Sequence, residues 1–232
     1  MRPKPKNITQ TNINKNHPLN NPLIETIRLE NGILHNLQFH QARMDRSRQD
    51  LFQLSEPLSL AKSIVIPAGV AKGLYKCRVI YDTILRSIAF ESYRVRPVRS
   101  LQLVISDPLN YEHKWLNRSG LLRLYEQRGQ ADDVLIVKNG RLTDTTYANI
   151  ALYDGHKWYT PAEPLLAGTR RAALLEAGEL EMAAIKLEEL RLFKKIRLIN
   201  ALLPAQDEDG VVTLSVQHSI FDSKRNAVLN EL

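Results

Sequence analysis

The chain has 232 residues, 44% hydrophobic and 25% charged, a composition ordinary for a globular protein of one large domain or two small ones. No apolar run approaches the roughly 20 residues of a membrane-spanning helix. The basic, Asn-rich start lacks the apolar centre of a secretory signal, and the single cysteine, Cys77, cannot form an internal disulfide, so the cytoplasm is the expected compartment. The net charge of +7 raises nucleic-acid binding, but Lys and Arg are spread along the chain without a recognised nucleic-acid motif. The basic balance is read instead as a positive cleft for small anionic molecules.

Residues 1–21 hold few apolar side chains and predict a poorly ordered arm, with at most one short edge strand. Leu23–Leu29 predicts a strand, turned by Glu30-Asn31-Gly32 into a partner around Ile33–Leu37. From Gln38 to Leu54, Phe39, Met44, Leu51 and Phe52 recur among polar and basic residues, which predicts an amphipathic helix packed on the sheet. A loop, Ile64–Ile66 and a Pro-Ala-Gly turn precede three more strands, Leu74–Tyr81, Leu85–Tyr93 and Leu101–Ile105, the first two joined at Asp82-Thr83. Alternation buries Tyr75, Cys77, Val79 and Tyr81 and puts Lys76, Arg78 and Ile80 on the other face. There Arg78 is either a solvated strand residue or a pocket cation that binds a substrate carboxylate. Residues 22–105 are expected to form an N-terminal α+β domain.

Residues 106–113 read as a linker to a second domain, residues 114–232. Lys114 follows at the junction, where small-molecule pockets form readily. Burial there lowers the pKa of an ammonium and frees its amine for imine chemistry and proton transfer. His113 reads as a local hydrogen-bonding residue. A helical pattern through Leu116, Leu121, Leu122, Leu124 and Tyr125 ends near Gly129. An apolar strand, Val134–Val137, an Asn139-Gly140 turn and a returning strand carrying Asp144 follow, because both turn residues tolerate positive φ. Asp154-Gly155 turns a second hairpin into Lys157–Thr160.

One lysine before a helix and one carboxylate on a neighbouring strand are the two groups that pyridoxal phosphate chemistry requires. The amine forms a Schiff base with the cofactor aldehyde, and the carboxylate holds the pyridine nitrogen protonated. Spacing alone leaves open that Asp144 is a solvated turn residue. Farther on, Gly168-Thr169 opens a helix predicted over Arg171–Ala177 and closed by Gly178; unpaired N–H groups there make a seat for an anion, though Thr is also an ordinary N-cap. Arg197–Leu203 predicts a strand with Asn200 in its middle, where a polar side chain needs a partner. An Asp207-Glu208-Asp209-Gly210 turn and a terminal helix from about Ile220 read as structural.

Several of these stretches together resemble one family. Lys114-Trp115-Leu116-Asn117-Arg118, Ala131-Asp132-Asp133-Val134-Leu135 and Thr143-Asp144-Thr145-Thr146-Tyr147-Ala148-Asn149-Ile150 resemble the core of the class IV, or fold-type IV, pyridoxal phosphate enzymes. Glu25-Thr26-Ile27-Arg28 with His40-Gln41-Ala42-Arg43 resembles the family's early motif, Leu165–Arg170 its phosphate loop, and Ile199-Asn200-Ala201-Leu202 a late strand most like the lyase branch. That family includes branched-chain and D-amino acid aminotransferases and aminodeoxychorismate lyase. Two departures stand out: Asn20-Asn21-Pro22 occupies the place of a Gly-Asp-Gly turn, and Asp144 that of the usual Glu, so the cofactor ring must sit nearer the strand or be reached through a water.

The resemblance implies a two-domain α/β (α+β) fold with a C-terminal pseudo-barrel, a homodimer, and pyridoxal 5′-phosphate between the domains. It implies Lys114 as the catalytic residue and Arg43, Asp144, Thr145, Thr146, Asn149, Gly168 and Thr169 as cofactor-binding residues. Thr26, Arg78 and Asn200 are then the expected contacts to an amino-acid-like substrate. The expected activity is that of a 4-amino-4-deoxychorismate lyase, releasing pyruvate and leaving 4-aminobenzoate for folate synthesis. The alternatives are an aminotransferase acting on branched-chain or D-amino acids, and a degenerate member without activity.

Overall fold

The computed structural model describes residues 21–203 and a short strand at 213–215. All but the last residue of the expected N-terminal arm, the turn at 207–210 and the terminal helix from about Ile220 lie outside the described residues.

The first sheet forms as the alternation predicts. Strand β1 (Leu23–Glu30) turns at Asn31 and Gly32, with φ of 47° and 82°, into the two-residue β2 (Ile33–Leu34). It pairs along its whole length with β3 (Leu74–Tyr81), from Leu23 opposite Tyr81 to Glu30 opposite Leu74; β3 in turn pairs with β4 (Leu85–Ser92). The antiparallel order is β2-β1-β3-β4. Leu23, Ile27, Cys77, Val79 and Tyr81 pack there with Met44 of helix α1 (Leu37–Phe52) and Leu60 of the short helix α2 (Leu60–Ser63).

The inner face of α1 corrects the sequence expectation. Its buried residues are His40, Arg43, Met44, Ser47 and Arg48, a mainly polar stripe, while Phe39, Leu51 and Phe52 are only half-buried. A helix can bury such a face only if each polar group finds a partner. Those partners belong to the site described below.

Strand β5 (Leu101–Ile105), grouped by the sequence with the N-terminal strands, pairs instead in parallel with β6 (Asp133–Lys138). A parallel pair needs a crossover, which residues 106–132 supply through helix α3 (Ser119–Tyr125). Beyond β6, the Asn139-Gly140 turn leads to β7 (Arg141–Leu142), with φ of 51° and 72° as the pair allows. The remaining sheet contains β8 (Asn149–Tyr153), β9 (Trp158–Pro161), β10 (Glu181–Ala183), β11 (Lys195–Ile199) and β12 (Thr213–Ser215), in the order β10-β9-β8-β11-β12. Helix α4 (Thr169–Glu176) precedes β10 and begins two residues earlier than expected. Leu101, Leu135, Val137, Leu142, Ile150, Leu152, Ile196 and Leu198 form one core between the two C-terminal sheets. Among the described residues no helix is long and apolar enough to cross a membrane.

Two sets of contacts tie the halves together. The backbone around Lys114 bridges to the start of β1: Ile24 N–H donates to Lys114 O at 3.0 Å and Leu116 N–H to Pro22 O at 2.8 Å. Arg28 donates through Nη1 to Leu202 O at 2.7 Å.

Candidate active site

A cavity of about 380 Å³ opens between the first sheet and the C-terminal sheets. All eleven residues singled out in the sequence line it: Thr26, Arg43, Arg78, Lys114, Asp144, Thr145, Thr146, Asn149, Gly168, Thr169 and Asn200. They come from both halves of the chain, which is why the hydrogen bonds between β1 and Lys114 matter for the site.

Withdrawal from water is the largest influence on the Lys114 amine, and the Arg43 and Arg118 charges push in the same direction. Against the opposing pull of Glu25, they bring its pKa down to about 7. Near neutral pH such an amine is both a nucleophile and a proton carrier.

Asp144 reaches the cavity through a local irregularity in the returning chain. Ile136 N–H donates to Asp144 O at 2.9 Å while Ile136 O accepts from Thr143 N–H at 3.0 Å, so two residues face one. This is a β-bulge, which re-aims the side chain that follows it. The Asp144 carboxyl is buried, with Oδ1 accepting from Asn149 Nδ2 at 2.7 Å and Oδ2 from Leu166 N–H at 3.0 Å. Burial raises its pKa to about 7, and these neutral donors offset the rise only in part. A cation beside it would be strongly stabilised.

The opposite end holds the groups suited to an anion. Gly168 caps α4 and Thr169 opens the helix, and both line the cavity with Arg43; the first N–H groups of a helix have no partner within it. Arg43 spans Glu25 through Nε at 2.9 Å and Nη2 at 2.5 Å. Glu25 also meets His40 Nδ1 at 2.6 Å, and His40 Nε2 meets Thr169 Oγ1 at 3.2 Å. Glu25 and His40 are both 0% exposed, so this chain is out of reach of water. Despite its burial, the Arg43 charge and the hydrogen bonds from His40 and Arg43 hold Glu25 down at about 2.

The hydroxyls of Thr145 and Thr146 serve the turn that frames Asp144. Thr145 Oγ1 lies 3.3 Å from Ala148 O and accepts from Ala148 N–H at 3.2 Å, while Thr146 Oγ1 donates to Asp133 at 2.7 Å. Arg78 is a cavity-facing cation whose Nη1 pairs with Glu91 at 2.7 Å, as does Lys76 Nζ beside it. Asn200 departs from its expected place. It lies one residue past β11, and its Oδ1 accepts from Leu202 N–H at 2.8 Å and Leu203 N–H at 3.0 Å. The apolar run continues through Leu203, but the carboxamide ends the ladder by offering the backbone a turn instead.

Sequence reasoning assigned no role to Glu25, His40, Arg118 or Tyr111. The first two carried a readable signal. Glu25 sits in the register of Leu23, Ile27 and Leu29, all 0% exposed, and His40 and Arg43 are one helical turn apart. A carboxylate at an apolar position beside a basic pair predicts a buried ion network.

Gly168 shows how tightly this end is built. A Cβ there would overlap Asn149 Oδ1 and lie 3.1 Å from its Cγ, and Asn149 is fixed by Asp144 and by Leu166 O. Gly168→Ala is expected to cost about 1–3 kcal/mol of stability. Thermal melting would check the effect.

A mixed α/β chain with an amine and a buried carboxyl facing one cavity, and an anion seat at a helix start, has the architecture of the fold-type IV enzymes. The family model for amino-transferase class IV matches residues 22–207. An uncharacterized protein of Haemophilus influenzae is 36% identical over 183 residues, 78% of this chain and 97% of that one. The crystal structure of a candidate 4-amino-4-deoxychorismate lyase from Haemophilus somnus is 32% identical, covers 78% of this chain and 96% of its own, and superposes with a TM-score of 0.74. A candidate amino-acid aminotransferase from Mesorhizobium loti shares the fold at 22% identity and TM-score 0.67, over 84% of this chain and 99% of that one. The chain belongs to the class IV aminotransferases, a family of pyridoxal phosphate-dependent enzymes.

Proposed function

We propose that this chain binds pyridoxal 5′-phosphate in the cavity and acts as a 4-amino-4-deoxychorismate lyase, releasing pyruvate and leaving 4-aminobenzoate. The observation that carries the reading is the placement of Lys114 and Asp144 on one cavity, each with a pKa of about 7. The donor set fits the cofactor: the Lys114 amine for the aldehyde, a buried acid group held by Asn149 and Leu166 for the pyridine nitrogen, and Arg43 with the start of α4 for the phosphate. Bound there, the cofactor supplies an electron sink for the bond next to the substrate nitrogen.

The protein's own share is binding, orientation and proton transfer. Lys114 Nζ holds the cofactor and carries the proton between substrate atoms. Asp144, kept in place by Asn149 and Leu166, holds the ring nitrogen; Thr145 and Thr146 shape the turn that frames it. Thr26, Arg78 and Asn200 contact the substrate. The lyase is favoured over an aminotransferase by the 32% identical Haemophilus somnus protein.

The test is an assay of the loaded protein with 4-amino-4-deoxychorismate. Stoichiometric 4-aminobenzoate and pyruvate are the expected result. Transamination of 2-oxoglutarate with a member of an amino-acid panel, and no 4-aminobenzoate, would replace this reading with the aminotransferase. A cytoplasmic homodimer completes the proposal; sedimentation of the purified protein at the mass of a single chain would remove the dimer from it.

A further inference from the structure

The hydrogen bonds at the anion end of the cavity have a direction, and that direction opposes an anion. Glu25, well below its ordinary pKa, is a carboxylate and can only accept, so His40 Nδ1 carries the hydrogen in the 2.6 Å contact between them. Burial, the largest influence on His40, lowers its pKa; Arg43 and Lys114 push the same way, against the pull of Glu25. The imidazole is therefore neutral at pH 7, and its Nε2 is a bare acceptor. Thr169 Oγ1, at 3.2 Å, must then point its hydrogen at Nε2. Its lone pairs are left for the cavity, where phosphate oxygens also only accept.

We propose that binding of a phosphate-class dianion beside Thr169 is coupled to uptake of one proton by His40. With Nε2 protonated, the chain reverses. Nε2–H donates to Thr169 Oγ1, whose hydrogen turns to the anion; the proton comes from solvent and no other bond changes. Glu25 remains a carboxylate and steadies the imidazolium through Nδ1. The charged and titratable groups facing this chain are Glu25 of β1, Arg43 on the same helix, Lys114 from the segment before α3, and Tyr81 of β3, which is coupled to both Glu25 and Arg43. The inference rests on the reading that this end holds the cofactor phosphate. It adds that affinity for that phosphate falls as pH rises, because the bound state holds one proton more.

Sulfate is the probe, since it is a tetrahedral dianion that does not itself titrate near neutral pH. The full chain carrying Lys114→Met and Asp144→Asn, which together remove the other two cavity groups of pKa near 7, would be titrated with sodium sulfate between pH 6 and 9. Calorimetry in buffers of different ionisation enthalpy would count the protons. The expected result is uptake approaching one proton per sulfate above the pKa of His40, with affinity falling about tenfold per pH unit there. In a second protein that also carries His40→Gln, an amide N–H replaces the titrating donor, and both the uptake and the slope should disappear. The ¹⁵N shifts of the His40 ring in the protein that keeps His40 give the same answer without that second variant, moving to imidazolium values when sulfate is added. Sulfate binding with an unchanged neutral imidazole would overturn the coupling and leave the phosphate seat standing. No sulfate binding at any pH would overturn both.

Discussion

Replacement of Lys114 by alanine is expected to lower turnover by more than about a thousandfold, because in the proposed function one side chain supplies both the bond to the cofactor and the travelling proton. Stability should change little or rise slightly at neutral pH. The folded protein holds this amine at about 7 against an ordinary 10.5, so below pH 7 folding opposes its charge, and that penalty fades as pH climbs from 7 towards 10.5. The same shift sets the pH dependence of cofactor capture. Only the neutral amine attacks an aldehyde, so the rate at which the apoprotein takes up pyridoxal phosphate should rise steeply as pH passes upward through about 7. Borohydride reduction of the loaded protein followed by peptide mapping should mark Lys114. A label on Lys76, which lines the same cavity, would transfer the catalytic role to β3.

That Lys114 and Asp144 stand on one cavity was legible from the runs that carry them. Each lies in a run whose neighbours have fixed jobs: Trp115 and Leu116 dock on β1 and Pro22, and Asn149 reaches back to Asp144. The hairpin turns were equally legible, since Asn31-Gly32 and Asn139-Gly140 accept the positive φ that a two-residue turn imposes. Pairing across distance was not. The apolar alternation of β5 is the same whether its neighbour is β4 or β6, and only the crossover through α3 decides. The burial of α1 was misjudged for a related reason. A polar stripe reads as solvent-facing unless its partner is known, and here the partner is a carboxylate fifteen residues earlier in the sequence, on β1. The strand end at Asn200 was hidden because Ala201, Leu202 and Leu203 extend the apolar run past the point where the carboxamide captures the backbone.

Glu25→Gln should be strongly destabilising for so conservative a change. The substitution keeps the shape and leaves an oxygen for His40, but Arg43, 6% exposed, loses the counterion it holds through two hydrogen bonds. Breaking one side of a buried pair costs about 3–5 kcal/mol, which in a domain of this size lowers the melting temperature by roughly 10 °C. The pH dependence gives the effect its signature. With a folded pKa of about 2 against an ordinary 4.5, Glu25 contributes its full stability above 4.5 and loses it as pH falls towards 2. The gap between wild-type and variant melting curves should therefore be constant from pH 8 to 5 and narrow below 4.5. Pyridoxal phosphate should restore more stability to the variant than to the wild type, because in the variant a bound phosphate becomes the counterion of Arg43. A variant that melts within a degree or two of wild type at pH 7 would show that Arg43 finds water or another acceptor, and that the buried chain to Thr169 is not what holds the anion end together.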